Sequence, residues 1–232
     1  MRTWRSLAAL GMTVVTAFGM TLVVCHASPS VPLPESRAQM LHDPSTAFWR
    51  EHAPDVYRAR FETTKGVFVL EVTRALSPLG ADRLYNLIRA GYYDDTRFTR
   101  VVPNFIAQFG VPRDSVLAAL WYQNTFSDDS VRTSNVRGTF AFAMRGPNDR
   151  TTQIYINLVD NVRNDPQGFS PLGRVVEGMN VVDSLYNGYG ENSGGGVRAG
   201  KQGPLLSGGN AYVDREYPKL DHLIRATIID RR

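Results

Sequence analysis

The stretch RFTRVVPNFIAQFG, Arg97 to Gly110, sets an arginine and a glutamine among Val, Ile and Phe. If RFTRVV alternates as a strand, Phe98, Arg100 and Val102 share one face and Val101 takes the other. Beyond the Pro103-Asn104 turn, FIAQF alternates again and puts Ile106 and Gln108 on a face opposite Phe105 and Ala107. A lone strand arginine usually lays its stem on apolar surface and keeps its head in water. Here a cation and an amide recur beside apolar residues on one small surface, the composition of a ligand-binding face. Such a face can grip an apolar group and present hydrogen-bond donors beside it.

Other chemistries fail their contextual tests. Residues 195–201, GGVRAGK, match the spacing of a phosphate-binding loop. Gln202 stands where Ser or Thr should bind magnesium, Pro204 follows where a helix should start, and no buried strand leads in. Of the four histidines, His26, His42 and His52 precede the domain and His222 is alone, so none has the company of a metal ligand set. No metal and no cofactor are expected. The acidic pairs Asp94-Asp95 and Asp128-Asp129 lie at turn-like stretches and read as solvated loop ends. There is no nucleophile elbow, and the single cysteine, Cys25, lies in the N-terminal apolar run, so thiol chemistry is excluded.

Short strands dominate the elements that must carry these residues. ARFETT and VFVLEV flank a Lys65-Gly66 turn, giving a hairpin. In SPLGADRLYNLIRAGYY the period becomes helical: Ser77 is the N-cap, Pro78 takes the first helical position, Leu84, Leu87 and Ile88 share a face, and Gly91 ends the helix. Strand-like runs follow at RFTRVV, FIAQF, GTFAFAM and QIYINLV. LGRVVEG leads into a second helix over Met179–Tyr186, and DHLIRATIID closes the chain as a strand. Many strands with two helices predict an antiparallel sheet closed into a barrel, with the helices capping its ends. The glycine-rich residues 188–210 read as a long surface loop.

At 232 residues, with 43% hydrophobic and 21% charged content, the chain suffices for one well-cored domain with appendages. Its N-terminus has the pattern of a targeting segment: Arg2 and Arg5 precede an apolar run from Leu7 to Val24, and no acidic residue comes before Glu35. Three readings are open. Cleavage after Ala27 releases a soluble exported protein, LVVC resembles a lipoprotein signal with the lipid on Cys25, or the run stays as a membrane anchor. All three place the domain outside the cytoplasm, whether periplasmic, secreted or envelope-anchored. Losing residues 1–27 takes the formal charge from +4 to +2, and no basic run remains, so nucleic acid is not expected as a partner. The organisation predicted is a signal peptide or anchor over 1–27, a linker and short extension over 28–57, and one domain over 58–232.

FTRVVPNFIAQFG resembles the signature of the cyclophilins, the peptidyl-prolyl isomerases, whose pattern runs F-H-R-[IV]-[IV]-x-x-F-x-x-Q-x-G. FAFAMRGPNDRTTQIYINLVDN resembles their second block, and GFSPLGRVVEGMNVVDSL their last core strand and helix. With the opening hairpin and helix, the likeness covers about residues 60–187. It implies a mainly β fold, a closed antiparallel eight-stranded β-barrel capped by two α-helices. By position it makes Arg100 the catalytic arginine, Phe105 the aromatic floor of the proline pocket, Ile106 an apolar wall and Gln108 the glutamine that bonds the substrate backbone. Ala143 and Met144 match the short strand that pairs with the substrate, Gln153 a groove glutamine, Tyr155 and Leu172 pocket walls, and Phe169 a pocket position that is histidine in many members. Thr99 replaces the usual histidine and Met144 the usual asparagine, and NVRNDPQGF lacks the groove tryptophan of cyclosporin-sensitive members. The implied function is isomerisation of X-Pro bonds in exported proteins by a monomer that binds proline-containing segments. The alternative is a binding module or chaperone of the same fold without catalysis.

Overall fold

The computed structural model describes residues 36–193 and 202–231. The segment read as signal or anchor, the linker up to residue 35 and GGVRAGK lie outside the described residues. Nine strands form one antiparallel sheet: β1 (Val56–Thr63), β2 (Gly66–Thr73), β3 (Thr96–Arg97), β4 (Arg100–Val102), β5 (Ile106–Phe109), β6 (Thr139–Met144), β7 (Arg150–Asn157), β8 (Pro171–Glu177) and β9 (His222–Arg231). Their order is β3-β9-β1-β2-β8-β6-β7-β5-β4. The helices are α1 (Ser36–His42), α2 (Pro78–Arg89), α3 (Ser115–Gln123), α4 (Met179–Asp183) and α5 (Gln202–Glu216).

The alternation in the opening hairpin is what makes its strands. Tyr57, Ala59, Phe61 and Thr63 point inward on β1, and Phe61 pairs across the ladder with Phe68, the two rings stacked at 5.0 Å. The connecting residues are Thr64 and Lys65, while Gly66, at φ 131°, opens β2. On α2, Leu84, Leu87 and Ile88 are buried in the core as their spacing predicts, each contributing roughly 1.5–3 kcal/mol. Gly91 follows at φ 73°. Ser77 is the N-cap residue, but its hydroxyl donates to Asp129 at 2.6 Å, and that carboxylate accepts the Leu79 and Gly80 N–H groups. Asp129 is thus the anion at the helix N-terminus, supplied from about fifty residues away, and not a solvated loop end.

The closed eight-stranded barrel with two helices is not what forms. The sheet curls but its ladder stays open: β3 and β4 are the edge strands and do not pair. Only Phe98 and Thr99 separate them in the chain, so RFTRVV is two strands and not one. The break has a cause in packing, because Phe98 is fully buried against Phe109, ring centroids 5.1 Å apart, while Arg100 turns the other way.

Five helices are described where the sequence predicts two. In α3, SVLAALWYQ is apolar on most sides and shows no clean period, yet Asp114 caps it through the Leu117 N–H. Trp121 is fully buried and donates its indole N–H to the Leu41 carbonyl at 2.9 Å, fastening α1. Helix α5 takes in the last part, residues 202–210, of the predicted glycine-rich loop. Its turns break at Gly209, φ 54° and ψ −151°, where a Cβ would lie 2.5 Å from the Arg113 carbonyl oxygen. Arg97 clamps α5 to the sheet through Asp214, with both bonds at 2.8 Å. Beneath α5, Val111, Leu205, Val213 and Leu220 form a second, smaller apolar cluster.

Candidate active site

Arg100 and Gln108 face each other across the β4–β5 ladder, in direct register. Gln108 is 3% exposed, accepts from Arg100 Nη1 at 3.1 Å and donates to Gln153 Oε1 at 2.8 Å. The three side chains form one hydrogen-bonded row running from the rim into the floor of a groove of about 980 Å³. An amide so buried needs both its bonds, so the row has little freedom to turn.

Apolar surface surrounds this row. Ile106 and Tyr155, both nearly inaccessible, and the half-buried Phe105 and Phe169 line the groove. Phe105 does not alternate with Ile106 as a strand reading requires. Pro103–Phe105 form a turn in which Asn104 takes φ 56°, and the turn brings Phe105 to the groove, its ring 5.4 Å from the Arg100 guanidinium carbon. Arg163 lies over the same ring at 4.8 Å. Tyr155 and Phe169 meet edge to face at 5.6 Å. Burial pushes the Tyr155 phenol pKa upward, so it stays an O–H donor and donates a hydrogen bond to Asn135 Oδ1 at 2.8 Å. Asn135, itself fully buried, donates its amide to Asp165 and to the Phe169 carbonyl, both at 2.8 Å. One asparagine therefore fixes two walls of the pocket.

Ala143 and Met144 close the groove on another side. Strand β6 pairs with β8 only from Thr139 to Ala141, while Met144 pairs with Arg150 on β7. Among the described residues the β8-facing edge of residues 142–144 thus has no strand partner, the kind of edge to which a further strand can add. Beside it, Arg145 lies 3.9 Å over the Tyr122 ring and pairs with Asp149.

The structure gathers Arg100, Phe105, Ile106, Gln108, Ala143, Met144, Gln153, Tyr155 and Phe169 around the one groove. It does not place Leu172 there. That side chain is fully buried under α2, where its Cδ2 sits 3.2 Å from where a Cβ on Gly80 would be. Pro171 to Gly173 are all buried, so alternation along β8 carries no sign of which face meets the groove. Sequence reasoning also missed Glu191, which pairs with Arg100 at 2.6 Å, and Gln202, which lies 3.4 Å from Gln153. Both flank a glycine-rich stretch with no period to read. Asn135 and Arg163 were missed too, since nothing local distinguishes a structural asparagine or a stacking arginine. Among the described residues no three His, Cys, Asp or Glu side chains cluster to hold a metal, and no helix is long and apolar enough to cross a membrane.

The site is thus a hydrogen-bonded arginine beside an apolar pocket, on a curled antiparallel sheet with an open strand edge. Residues 58–201 match the family described as Cyclophilin type peptidyl-prolyl cis-trans isomerase/CLD. The chain belongs to that family, and its class is isomerase. It is similar to "Peptidyl-prolyl cis-trans isomerase cyp18" of Streptomyces antibioticus, 34% identical over 136 residues, covering 53% of this chain and 79% of that protein. The "Peptidyl-prolyl cis-trans isomerase" of Acinetobacter baylyi is 28% identical over 141 residues, 59% of this chain and 75% of that one. Among solved structures, a Cryptosporidium parvum cyclophilin type peptidyl-prolyl cis-trans isomerase has the same fold, with a TM-score of 0.55 at 18% identity, over 76% of this chain and 99% of that one.

Proposed function

We propose that the groove takes a proline-containing segment of an exported polypeptide and that Arg100 is the residue through which its X-Pro bond is turned. Amide resonance gives that bond a rotation barrier of about 18–20 kcal/mol and leaves spontaneous exchange to take tens to hundreds of seconds. Halfway through the rotation the resonance is lost, and the prolyl nitrogen gains a lone pair that the planar amide does not offer. A guanidinium N–H aimed at that nitrogen bonds the twisted amide and neither planar form, the condition for lowering the barrier. No bond breaks and no proton leaves, so the reaction asks for no nucleophile.

The remaining residues divide the work of holding. Phe105, Ile106, Tyr155 and Phe169 take the ring and exclude water from it. The open edge at Ala143 and Met144 and the amides of Gln108 and Gln153 hold the flanking chain, so that one side of the bond turns while the other stays fixed. The observation that carries this reading is the Arg100–Gln108 pair in register across β4 and β5, on the rim of an apolar groove. Export is supported by the basic, then apolar, acid-free composition of the first 27 residues. Mass spectrometry of the mature N-terminus separates cleavage, a lipid on Cys25 and a retained anchor.

The test is exchange NMR on a short Ala-Pro peptide with the full chain and its Arg100→Ala form, both first shown to be folded. Acceleration by the wild type that falls roughly 100- to 1000-fold in the variant is expected, about the effect of removing one transition-state donor. A folded wild type that binds the peptide and leaves its exchange rate alone defeats catalysis, and the proline-segment binding module of the same fold takes its place.

A further inference from the structure

Strand β4 does not hold Arg100 alone. Glu191 accepts from Nε at 2.8 Å and from Nη2 at 2.6 Å, a two-pronged grip, while Gln108 accepts from Nη1 at 3.1 Å. A guanidinium has five N–H donors in a rigid plane, so bonds from two partners fix that plane and leave two donors for a ligand. The loop bearing Glu191 is itself fastened to the residues on either side of Arg100. Gly190 bridges Val101, and the Ser193 hydroxyl donates to the Thr99 carbonyl at 2.8 Å. Ser193 is 1% exposed, and Tyr189 packs edge to face on Tyr186 and Tyr217 at 5.1 and 5.3 Å. Contacts on both sides of Glu191 therefore bring its carboxylate to Arg100, unlike a surface side chain that happens to reach a charge.

Resting on the reading of Arg100 above, we propose that Glu191 is a positioning residue for the isomerisation. It locks the guanidinium plane so that the two remaining N–H donors face the prolyl nitrogen. A pre-aimed donor needs no reorganisation as the amide twists, so the gain falls on the turnover step and not on ground-state binding. The same carboxylate stands at the groove rim with about half its side-chain surface exposed. It therefore disfavours substrates with an acidic residue beside the proline.

The full chain is compared with Glu191→Gln, Glu191→Asp and Ser193→Ala, on Ala-Pro peptides carrying glutamate, alanine or lysine on either side of that dipeptide. Glu191→Gln is expected to lower kcat about 3- to 10-fold with KM held within about twofold, the scale of a partly exposed charged pair. Discrimination between the glutamate and lysine peptides should narrow with it. Glu191→Asp, charged but one methylene shorter, should keep the discrimination and lose part of kcat. Ser193→Ala, which leaves the carboxylate in place and loosens its loop, should lower kcat in the same sense. The Arg100 Nε–H signal in a ¹⁵N spectrum should be sharp in the wild type and broadened in Glu191→Gln. An unchanged kcat and Nε–H signal in folded Glu191→Gln overturns the proposal, and so does a raised kcat, which would make Glu191 a mask over Arg100. An inactive wild type, or an Arg100→Ala form that keeps the rate, brings down the reading of Arg100 and this proposal with it. An active wild type, a dead Arg100→Ala and an unaltered Glu191→Gln sink this proposal alone.

Discussion

Replacing Gln108 by leucine separates the hydrogen-bonded row from the apolar pocket around it. Leucine keeps nearly the same bulk and removes both ends of the amide, so the groove keeps its filling and loses its wiring. Two bonds go: the one Gln108 accepts from Arg100 Nη1 at 3.1 Å and the one it donates to Gln153 at 2.8 Å. The two orphaned groups differ in what they can do next. Arg100 is 17% exposed on its side chain and still holds Glu191, so its Nη1 can find water. Gln153 is 9% exposed, and its Oε1 loses the donor it had, which costs about 1–3 kcal/mol for a buried acceptor. The apolar gain of leucine offsets part of that, leaving a net loss of about 1–2 kcal/mol.

In a chain of this size such a loss lowers Tm by about 2–8 °C, readable by thermal circular dichroism, with urea midpoints as a second measure. Turnover should suffer more than stability. With one of its two partners gone, Arg100 can rotate about the Glu191 fork, and kcat/KM in the exchange assay should fall at least about tenfold, roughly 1.4 kcal/mol of transition-state stabilisation. A Gln108→Leu variant that melts with the wild type and turns over peptide within a factor of about two would refute the idea that the amide row aims Arg100. Equal losses in stability and activity at every temperature would refute it too, by making the effect one of folding alone.

Two further substitutions test the frame that holds the groove. Gly173 sits in β8 between β2 and β6, where an added Cβ would come within 1.9 Å of the Glu71 carbonyl oxygen, a backbone atom that cannot step aside. Gly173→Ala should cost more than about 3 kcal/mol and show as insoluble protein or a collapsed melting transition, and a well-folded variant would contradict the packing described. Asp82 tests the pH dependence. Burial pushes its carboxyl pKa upward, but Arg74, His52 and the Ala53 N–H outweigh burial and hold it below its ordinary value. Its folded pKa is depressed, so its contribution is complete above the unfolded value of about 4 and is lost as pH falls through the lower folded value. Urea midpoints of the wild type and Asp82→Asn should differ at about pH 7 and draw together as pH falls below about 4, and a gap that held constant would remove the carboxylate from the account.

What could be read in the sequence follows from what each residue depends on. Arg100 and Gln108 are legible because polar groups in an apolar run contradict the local pattern, and the structure pairs the two across one ladder at the groove. Tyr155 and Gln153 follow from the resemblance alone, since Thr152 to Asn157 are all buried and alternation along β7 does not pick out the groove face. Phe105 lines the groove although alternation puts it on the opposite face from Ile106 and Gln108, because its direction is set by the left-handed turn at Asn104, which alternation ignores. Leu172 was misplaced where β8 is buried on both sides and period two says nothing of sidedness. Helix α5 was invisible because Gly203, Pro204, Gly208 and Gly209 weigh against a helix that its packing on α3 and the Arg97–Asp214 pair nevertheless hold. The open seam between β3 and β4 depends on one buried ring, Phe98, that reads as an ordinary strand residue.

That seam bears on why the arginine sits where it does. In a closed barrel β4 would have a second strand beside it, whose side chains the period of the ladder would fix in sign and spacing. As an edge strand, β4 instead meets a loop, through the bridge from Val101 to Gly190 and the Ser193 hydroxyl on Thr99. A loop can lay a carboxylate beside the guanidinium without altering the core beneath it, since Val101 still points inward and Arg100 outward. It also covers backbone groups that an exposed edge would offer to another chain. Loss of the Ser193 bond alone should therefore lower turnover and leave the sheet's stability nearly untouched, a separation that a closed ladder could not show.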